Sequence, residues 1–313
     1  MSIKSVTIIG AGMMGNALAQ VFASNPNLET VILRTRQIRE DRFEPIIKNL
    51  DIMIGRGAAT KSEKEFILGR IQFVSDLQQA TQHADFVIEC APEVMETKQK
   101  LFAEIEGYCT PRTILATNTS VMSPTEISEK CSHKERVVGA HFWNPGHLIP
   151  LVEVVKSTYT SSQVVQDTMQ LLRDCGKKPI YCQKDVPGFV ANRLQHALWR
   201  EAFYMVENGI ADAATVDEAC RYGPGLRWPK MGPMENSDLA GIELTYNIHS
   251  YILRHLADNH APSKCLQEML DRGDNGFRTG RGWQQWTQAQ TEASNRGLRE
   301  YLIDCLTKEK TGI

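Results

Sequence analysis

Two side chains near the middle of the chain have the types and the spacing for acid–base chemistry. His141 lies in Gly139-Ala140-His141-Phe142-Trp143-Asn144-Pro145-Gly146, and Glu153 lies in Leu151-Val152-Glu153-Val154-Val155. Both segments are β-rich and flank a turn centred on Asn144, Pro145 and Gly146, so they are expected to fold back on each other as a hairpin. An ionised acid buried in that apolar run without a partner costs several kcal/mol, and His141 is the partner within reach. A carboxylate on one ring nitrogen fixes the tautomer and leaves the other nitrogen to take or give a proton at a hydroxyl or carbonyl. A self-satisfied structural pair is an equal reading of the hairpin taken alone.

The amino-terminal segment decides between the two. Ser5-Val6-Thr7-Ile8-Ile9 reads as a buried strand running into Gly10-Ala11-Gly12-Met13-Met14-Gly15 and an apolar helix from Ala17 to Ala23. Gly10 suits the tight turn, Gly12 the approach of a pyrophosphate to the backbone, and Gly15 close packing of the helix. A second strand, Thr30 to Leu33, follows at the distance expected of a dinucleotide-binding unit. Its end reads Leu33-Arg34-Thr35-Arg36-Gln37, with no carboxylate before Glu40. An acid there accepts hydrogen bonds from the ribose of NAD, whereas guanidiniums and a hydroxyl suit a 2′-phosphate, so NADP(H) is favoured and NAD(H) is the alternative.

These elements need a sheet to position them, and the chain is long enough to hold one. Its 313 residues, 42% hydrophobic and 23% charged, support two cores. The net charge of −2 gives no footprint for nucleic acid or an anionic membrane. No apolar run approaches a bilayer span, and the first strand begins too early for a signal peptide, so a cytoplasmic protein is expected. Eight cysteines contain no C-x-x-C pair, which speaks against disulfides and zinc and for mostly buried reduced thiols. The four histidines at 196, 249, 255 and 260 lack metal-ligand spacing, and no metal is assigned.

Short apolar strands alternate with helical segments to about residue 185. After Thr30 to Leu33 come a charged helical region over Gln37 to Gly69, strands at 70–74 and 85–90, a helix from Val94 to Tyr108, a strand at 113–117, the hairpin, a helix near Ser162 to Cys175 and a strand at 179–182. That rhythm predicts an α/β fold, a doubly wound, mostly parallel sheet of Rossmann type. Beyond Asp185-Val186-Pro187-Gly188 the pattern is helical: Phe189 to Glu207, Ala213 to Arg221, Leu239 to Ala257, Ser263 to Arg272 and Glu292 to Lys308. The expected division is a dinucleotide-binding domain over 1–186 and an all-helical substrate and dimerisation domain over 187–313. Leu194, Leu198, Ile242, Leu244 and Ile248 are candidates for a core shared in a homodimer.

The ordered motifs Gly10 to Gly15, Asn118-Thr119-Ser120, His141 to Pro145, Leu151 to Val154, Asp185 to Arg193 and Thr279-Gly280-Arg281-Gly282 resemble those of the 3-hydroxyacyl-CoA dehydrogenases over nearly the whole chain. The resemblance implies hydride transfer between a nicotinamide and C3 of a 3-hydroxyacyl or 3-ketoacyl substrate. It makes His141 the acid/base and Glu153 its orienter, places Ser120 and Asn192 at the substrate oxygens, and puts Asn144 beside nicotinamide and substrate. Glu93 and Lys98 match cofactor-contacting positions, and Arg278 stands where the family often has such a lysine. Each has a plainer reading: Ser120 as a turn cap, Asn192 as a polar helix residue, Glu93 as a helix amino-terminal acid, Lys98 and Arg278 as solvated charges. Two departures stand out. The ribose acid is replaced at Arg34 or Thr35, and the stretch Gly223 to Pro233 is longer, with a Leu-Arg-Trp like that of L-gulonate and carnitine dehydrogenases. Arg227 there could clamp a substrate carboxylate, bridge an interface or face solvent. A CoA thioester is the expected substrate, a small free 3-hydroxy acid the alternative, and a non-catalytic cofactor-binding protein the reading from another class.

Overall fold

Local sequence already settles where the first helix begins. In the computed structural model, which describes residues 3–311, β1 (Ser5–Ile9) ends at Gly10 with φ of +108°, and α1 (Met13–Ala23) starts at once behind Gly12. β2 (Thr30–Arg34) follows. The segment expected to be helical from Gln37 instead stays irregular to Phe43, and α2 (Glu44–Gly55) starts only there, with Pro45 in its first turn, a position that proline favours. A capping box between Thr60 and Glu63 opens α3 (Lys61–Arg70).

The sheet continues through β3 (Ile71–Val74), α4 (Leu77–Thr81), β4 (Phe86–Glu89), α5 (Met95–Tyr108), β5 (Ile114–Thr117), α6 (Pro124–Ile127), β6 (Val137–Phe142), β7 (Leu151–Val155), α7 (Ser162–Asp174) and β8 (Lys178–Cys182). Its eight strands run in the order β3-β2-β1-β4-β5-β6-β7-β8, parallel except for the β6–β7 pair. Strands β4, β5 and β6 are buried at every residue, as a parallel sheet covered on both faces requires. Leu18, Phe22, Leu50 and Leu172, from α1, α2 and α7, cover one face. Leu77, Phe102, Ile105 and Ile127, from α4, α5 and α6, cover the other. The order turns back between β1 and β4, and in such sheets that switch point is where ligands bind.

The remaining elements are helical: α8 (Ala191–Glu207), α9 (Ala213–Tyr222), α10 (Pro224–Arg227), α11 (Pro233–Ala240), α12 (Ile242–Ile252), α13 (Lys264–Asp271) and α14 (Gln288–Thr311). The single helix expected over Leu239 to Ala257 is broken at Gly241, whose φ of +93° no ordinary helical residue adopts. The chain packs as two compact units, Met1–Ala191 with Leu298–Ile313, and Asn192–Gly297. The sequence reading assigned everything after residue 186 to one helical domain; instead the end of α14 packs with the first unit. Ile303 is buried there with Met53, Ala58 and Leu148, and Arg56 reaches Asp304 at 2.6 Å. Among the described residues no helix is long and apolar enough to cross a membrane.

Candidate active site

His141 is the fifth residue of β6 and pairs across the antiparallel ladder with Glu153 of β7. Its Nδ1 lies 2.8 Å from Glu153 Oε2, and both side chains are buried. The turn joining the strands is longer than the three residues the sequence suggested: it runs over 143–150 and contains a cis Asn144–Pro145 bond. Glu153 has four donors. Oε2 also accepts from the Trp143 indole at 3.2 Å, and Oε1 accepts from the backbone N–H groups of Val190 and Ala191 at 2.9 Å each. Burial pushes its pKa up, but these bonds, led by that from His141, outweigh burial and hold it below the ordinary carboxylate value. A carboxylate at Oε2 requires the proton on Nδ1, so neutral His141 carries its lone pair on Nε2, which makes no hydrogen bond among the described residues.

The glycine loop has the shape of a phosphate cradle. A Cβ on Gly15 would stand 1.7 Å from the Gly10 carbonyl oxygen, and one on Gly10 would stand 2.9 Å from that of Cys90, so both glycines are there for close backbone packing. A Cβ on Gly12 would meet nothing within 4 Å, leaving open space over the loop at the start of α1. The residues present therefore fit a dinucleotide. Gly10 N–H donates to the Arg34 carbonyl at 3.0 Å, which brings the end of β2 beside the loop. There the Arg34 Nε donates to the Ser75 carbonyl at 3.2 Å, the Thr35 hydroxyl donates to the Gln37 carbonyl, and Arg36 is exposed.

Between loop and hairpin runs a buried polar network that the sequence reading touched only in part. Lys98 is 1% exposed, not a solvated charge, and its ammonium meets Glu89 Oε1 at 2.7 Å, the Ala91 carbonyl at 3.2 Å and Glu93 Oε2 at 3.3 Å. Glu89 also accepts from the Thr117 hydroxyl, and Glu93 accepts from the Thr119 hydroxyl and from Ser120 N–H at 2.8 Å. Asn118 Oδ1 accepts from Phe142 N–H at 2.8 Å, tying the Asn118-Thr119-Ser120 turn to the strand that carries His141. Glu89 and Thr117 received no role in the sequence reading, and Asn118 and Thr119 entered it only as members of the Asn118-Thr119-Ser120 motif. Glu89 carries a signal akin to that of Glu153, a lone acid in a buried apolar strand, here at its end. The capping role open to Ser120 belongs to Ser123, which accepts from Glu126 N–H at the start of α6.

Asn144 is exposed in the 143–150 turn. Asn192, Arg227 and Arg278 belong to the second unit: Asn192 is the second residue of α8, Arg227 ends α10 and is exposed, and Arg278 is exposed just before Thr279-Gly280. Trp283 stacks on Phe203 with ring centroids 4.7 Å apart and Trp286 meets the edge of Phe277, so both tryptophans are packing residues.

A doubly wound sheet with a glycine loop at its switch point and an oriented imidazole on a nearby strand defines a dinucleotide-dependent oxidoreductase. The chain belongs to the 3-hydroxyacyl-CoA dehydrogenase family. Residues 5–186 match that family's NAD binding domain and residues 188–286 its C-terminal domain. The 3-hydroxyadipyl-CoA dehydrogenase of Escherichia coli (strain K12) is 33% identical over 93% of this chain, which spans 61% of that longer protein. An L-carnitine dehydrogenase of Pseudomonas aeruginosa is 40% identical over 76% of this chain and 73% of its own. The crystal structure of 5-formyl-3-hydroxy-2-methylpyridine 4-carboxylic acid 5-dehydrogenase, described as an NAD⁺-dependent dismutase, superposes with a TM-score of 0.86 at 31% identity, covering 97% of both chains.

Proposed function

We propose that the protein moves a hydride between a nicotinamide cofactor and C3 of a 3-hydroxyacyl or 3-ketoacyl substrate, with a CoA thioester as the substrate class. The observation that carries this reading is the buried His141–Glu153 pair with its accepting nitrogen on Nε2. Bound over Gly10, Gly12 and Gly15, the dinucleotide would supply or receive the hydride. In oxidation neutral His141 takes the hydroxyl proton on Nε2; in reduction protonated His141 returns it. Glu153 fixes the ring and stabilises the imidazolium, while Ser120 and Asn192 donate to the substrate oxygen as negative charge develops on it. Glu93, Lys98, Asn144 and Arg278 complete the cofactor side in this assignment. Lys98 acts within it by holding Glu93 and the loop after β4, its ammonium being already engaged.

A second reading, a small free 3-hydroxy acid, is favoured by the carnitine and pyridine-carboxylate names of relatives that match over most of their length, with Arg227 as the carboxylate clamp. A panel of short 3-hydroxyacyl-CoA thioesters, L-carnitine and aromatic hydroxy acids, each assayed with both cofactors, separates the two. Turnover of thioesters at a kcat/KM at least ~10-fold above every free acid supports the first reading. The reverse order overturns it.

The cofactor preference we assign is NADP(H), because no carboxylate ends β2 while Arg34 and Arg36 stand there. NADPH is expected to bind more tightly than NADH, and Thr35→Asp to reverse that order by weakening NADPH about 10-fold or more. Fluorescence titration checks this. An unaltered protein that binds NADH as well as NADPH contradicts the preference.

The second unit supports a homodimer. Among the described residues Ala257 is its one buried residue, still 8% exposed, while Leu194, Leu198, Ile242, Leu244 and Ile248 are all exposed, Ile242 by 65%. So much apolar surface on one chain is more than a stable monomer leaves in water. Light scattering at micromolar concentration should give about twice the 35.2 kDa of one chain. A mass of one chain across that range refutes the dimer. We also assign the enzyme to the cytoplasm. All eight cysteines are free thiols, although only Cys131, Cys175 and Cys182 are buried, fewer than expected, and burial pushes those three up to about 12.

A further inference from the structure

The turn that joins β6 to β7 has a support that neither the glycine loop nor the catalytic pair requires. Lys177, in the tight turn between α7 and β8, is 8% exposed and donates to two carbonyls of that turn, Gly146 at 2.6 Å and Ile149 at 2.9 Å. Its ammonium also lies 6.0 Å from the centre of the Phe142 ring, next to His141 in sequence. Among the described residues it has no carboxylate within ion-pair distance. A buried cation without a counter-charge is a costly way to satisfy carbonyls, and burial pushes Lys177 down to about 8. Its titratable neighbours give no charge in return. His147 of the same turn is kept neutral, pushed down to about 4 by burial and then by the charges of Lys177 and Arg299, and Cys175 at the end of α7 stays a thiol.

The held turn is also pressed against the cofactor helix. A Cβ on Gly146 would stand 3.2 to 3.4 Å from Leu18, Met14 and Ala17 of α1, so the turn lies in close contact with that helix, and a side chain there would make those neighbours give by a few tenths of an ångström. Leu148, 1% exposed, anchors its far side. Asn144 lies between the end of β6 at Phe142 and the first of those anchors, two residues before Gly146.

We propose that Lys177 is a positioning residue: by gripping the carbonyls of Gly146 and Ile149 it fixes the 143–150 turn against α1, and so sets where Asn144 and the end of the His141 strand stand relative to cofactor and substrate. The effect on turnover rests on the dehydrogenase reading above; the grip itself does not. Lys177→Met keeps the stem and removes every donor, whereas Lys177→Arg keeps a forked cation, and the cavity of about 200 Å³ that Lys177 borders leaves room for it.

Hydrogen exchange of the cofactor-free protein tests the grip without any substrate. The amides of Leu148 and Ile149, which donate to the Pro145 carbonyl, should exchange about 10-fold faster in Lys177→Met, with β1 unchanged and protection restored in Lys177→Arg. With a substrate that turns over, kcat should fall about 10-fold in Lys177→Met while the dinucleotide Kd moves less than about 3-fold, and Lys177→Arg should recover most of it. Unchanged exchange in the turn, protection lost equally in β1, or no recovery with arginine overturns the proposal. If no panel compound turns over, the dehydrogenase reading fails while the exchange data still decide the grip.

Discussion

His141→Ala should lower turnover by ~100-fold or more, the usual scale for a positioned acid or base, while leaving dinucleotide affinity within a few-fold of the unaltered protein. Nε2 is the nitrogen available to substrate, and the ring packs beside Phe189 and Trp143. Near-normal turnover in a folded His141→Ala protein would sink the assignment. The partner variant carries a different expectation. Glu153 receives two backbone N–H groups on one oxygen and two ring N–H groups on the other. A glutamine has one oxygen, so whichever way the amide turns, its NH₂ faces two donors. Glu153→Gln should therefore lose turnover and also roughly 2–4 kcal/mol of stability through buried donors left unpaired.

Its pH dependence has a definite sign. Glu153 is held below its ordinary value near 4.5, so the stability it contributes is fully present above that pH and is lost as pH falls through the lower, folded value. The acid limb of thermal stability should flatten in Glu153→Gln. An acid limb as steep as that of the unaltered protein would show that other carboxylates carry it.

How much of this could be read from sequence depended on whether the signal was local. The glycine loop announces itself because strand, turn and helix are contiguous, and His141 and Glu153 because a lone acid inside Leu151 to Val155 demands a partner one hairpin away. Glu89 made the same demand, but its partner, Lys98, lies across a loop and a helix turn, and a lysine on a helix reads as solvated until the fold buries it. Lys177 was less visible still: its partners are main-chain carbonyls, and no side-chain type marks an acceptor of that kind. The turn at 143–150 was drawn too short because Asn144-Pro145-Gly146 looks sufficient for a reversal, whereas Lys177 and Leu148 stabilise a longer one. The return of α14 depends on Ile303 filling a gap beside Met53 and Leu148, a contact between distant segments that periodicity along one helix does not encode.

Variants of two glycines in the Gly10 to Gly15 motif should fail in opposite ways, and that contrast tests the cradle more sharply than either alone. In Gly15→Ala the new methyl stands 1.7 Å from the Gly10 carbonyl oxygen, a backbone atom whose residue is tied to β2 through its N–H and held at a φ of +108°. The turn cannot yield without disturbing β1 and β2 together, so the cost should reach roughly 3 kcal/mol or more. At about 2–4 °C per kcal/mol for a body of this size, the melting temperature should drop by roughly 6–12 °C. In Gly12→Ala the methyl meets nothing within 4 Å, and the backbone there, at φ of −77°, is one any residue adopts. That protein should melt with the unaltered one, yet its methyl occupies the space a pyrophosphate needs against the start of α1, so dinucleotide affinity should fall about 10-fold or more. Calorimetry and dinucleotide titration on the two variants read both quantities. A Gly12→Ala protein that binds the dinucleotide normally would mean the open space over the loop is not where the phosphates lie, and an unchanged melting temperature in Gly15→Ala would mean that the close approach of α1 to Gly10 is not fixed by β1 and β2.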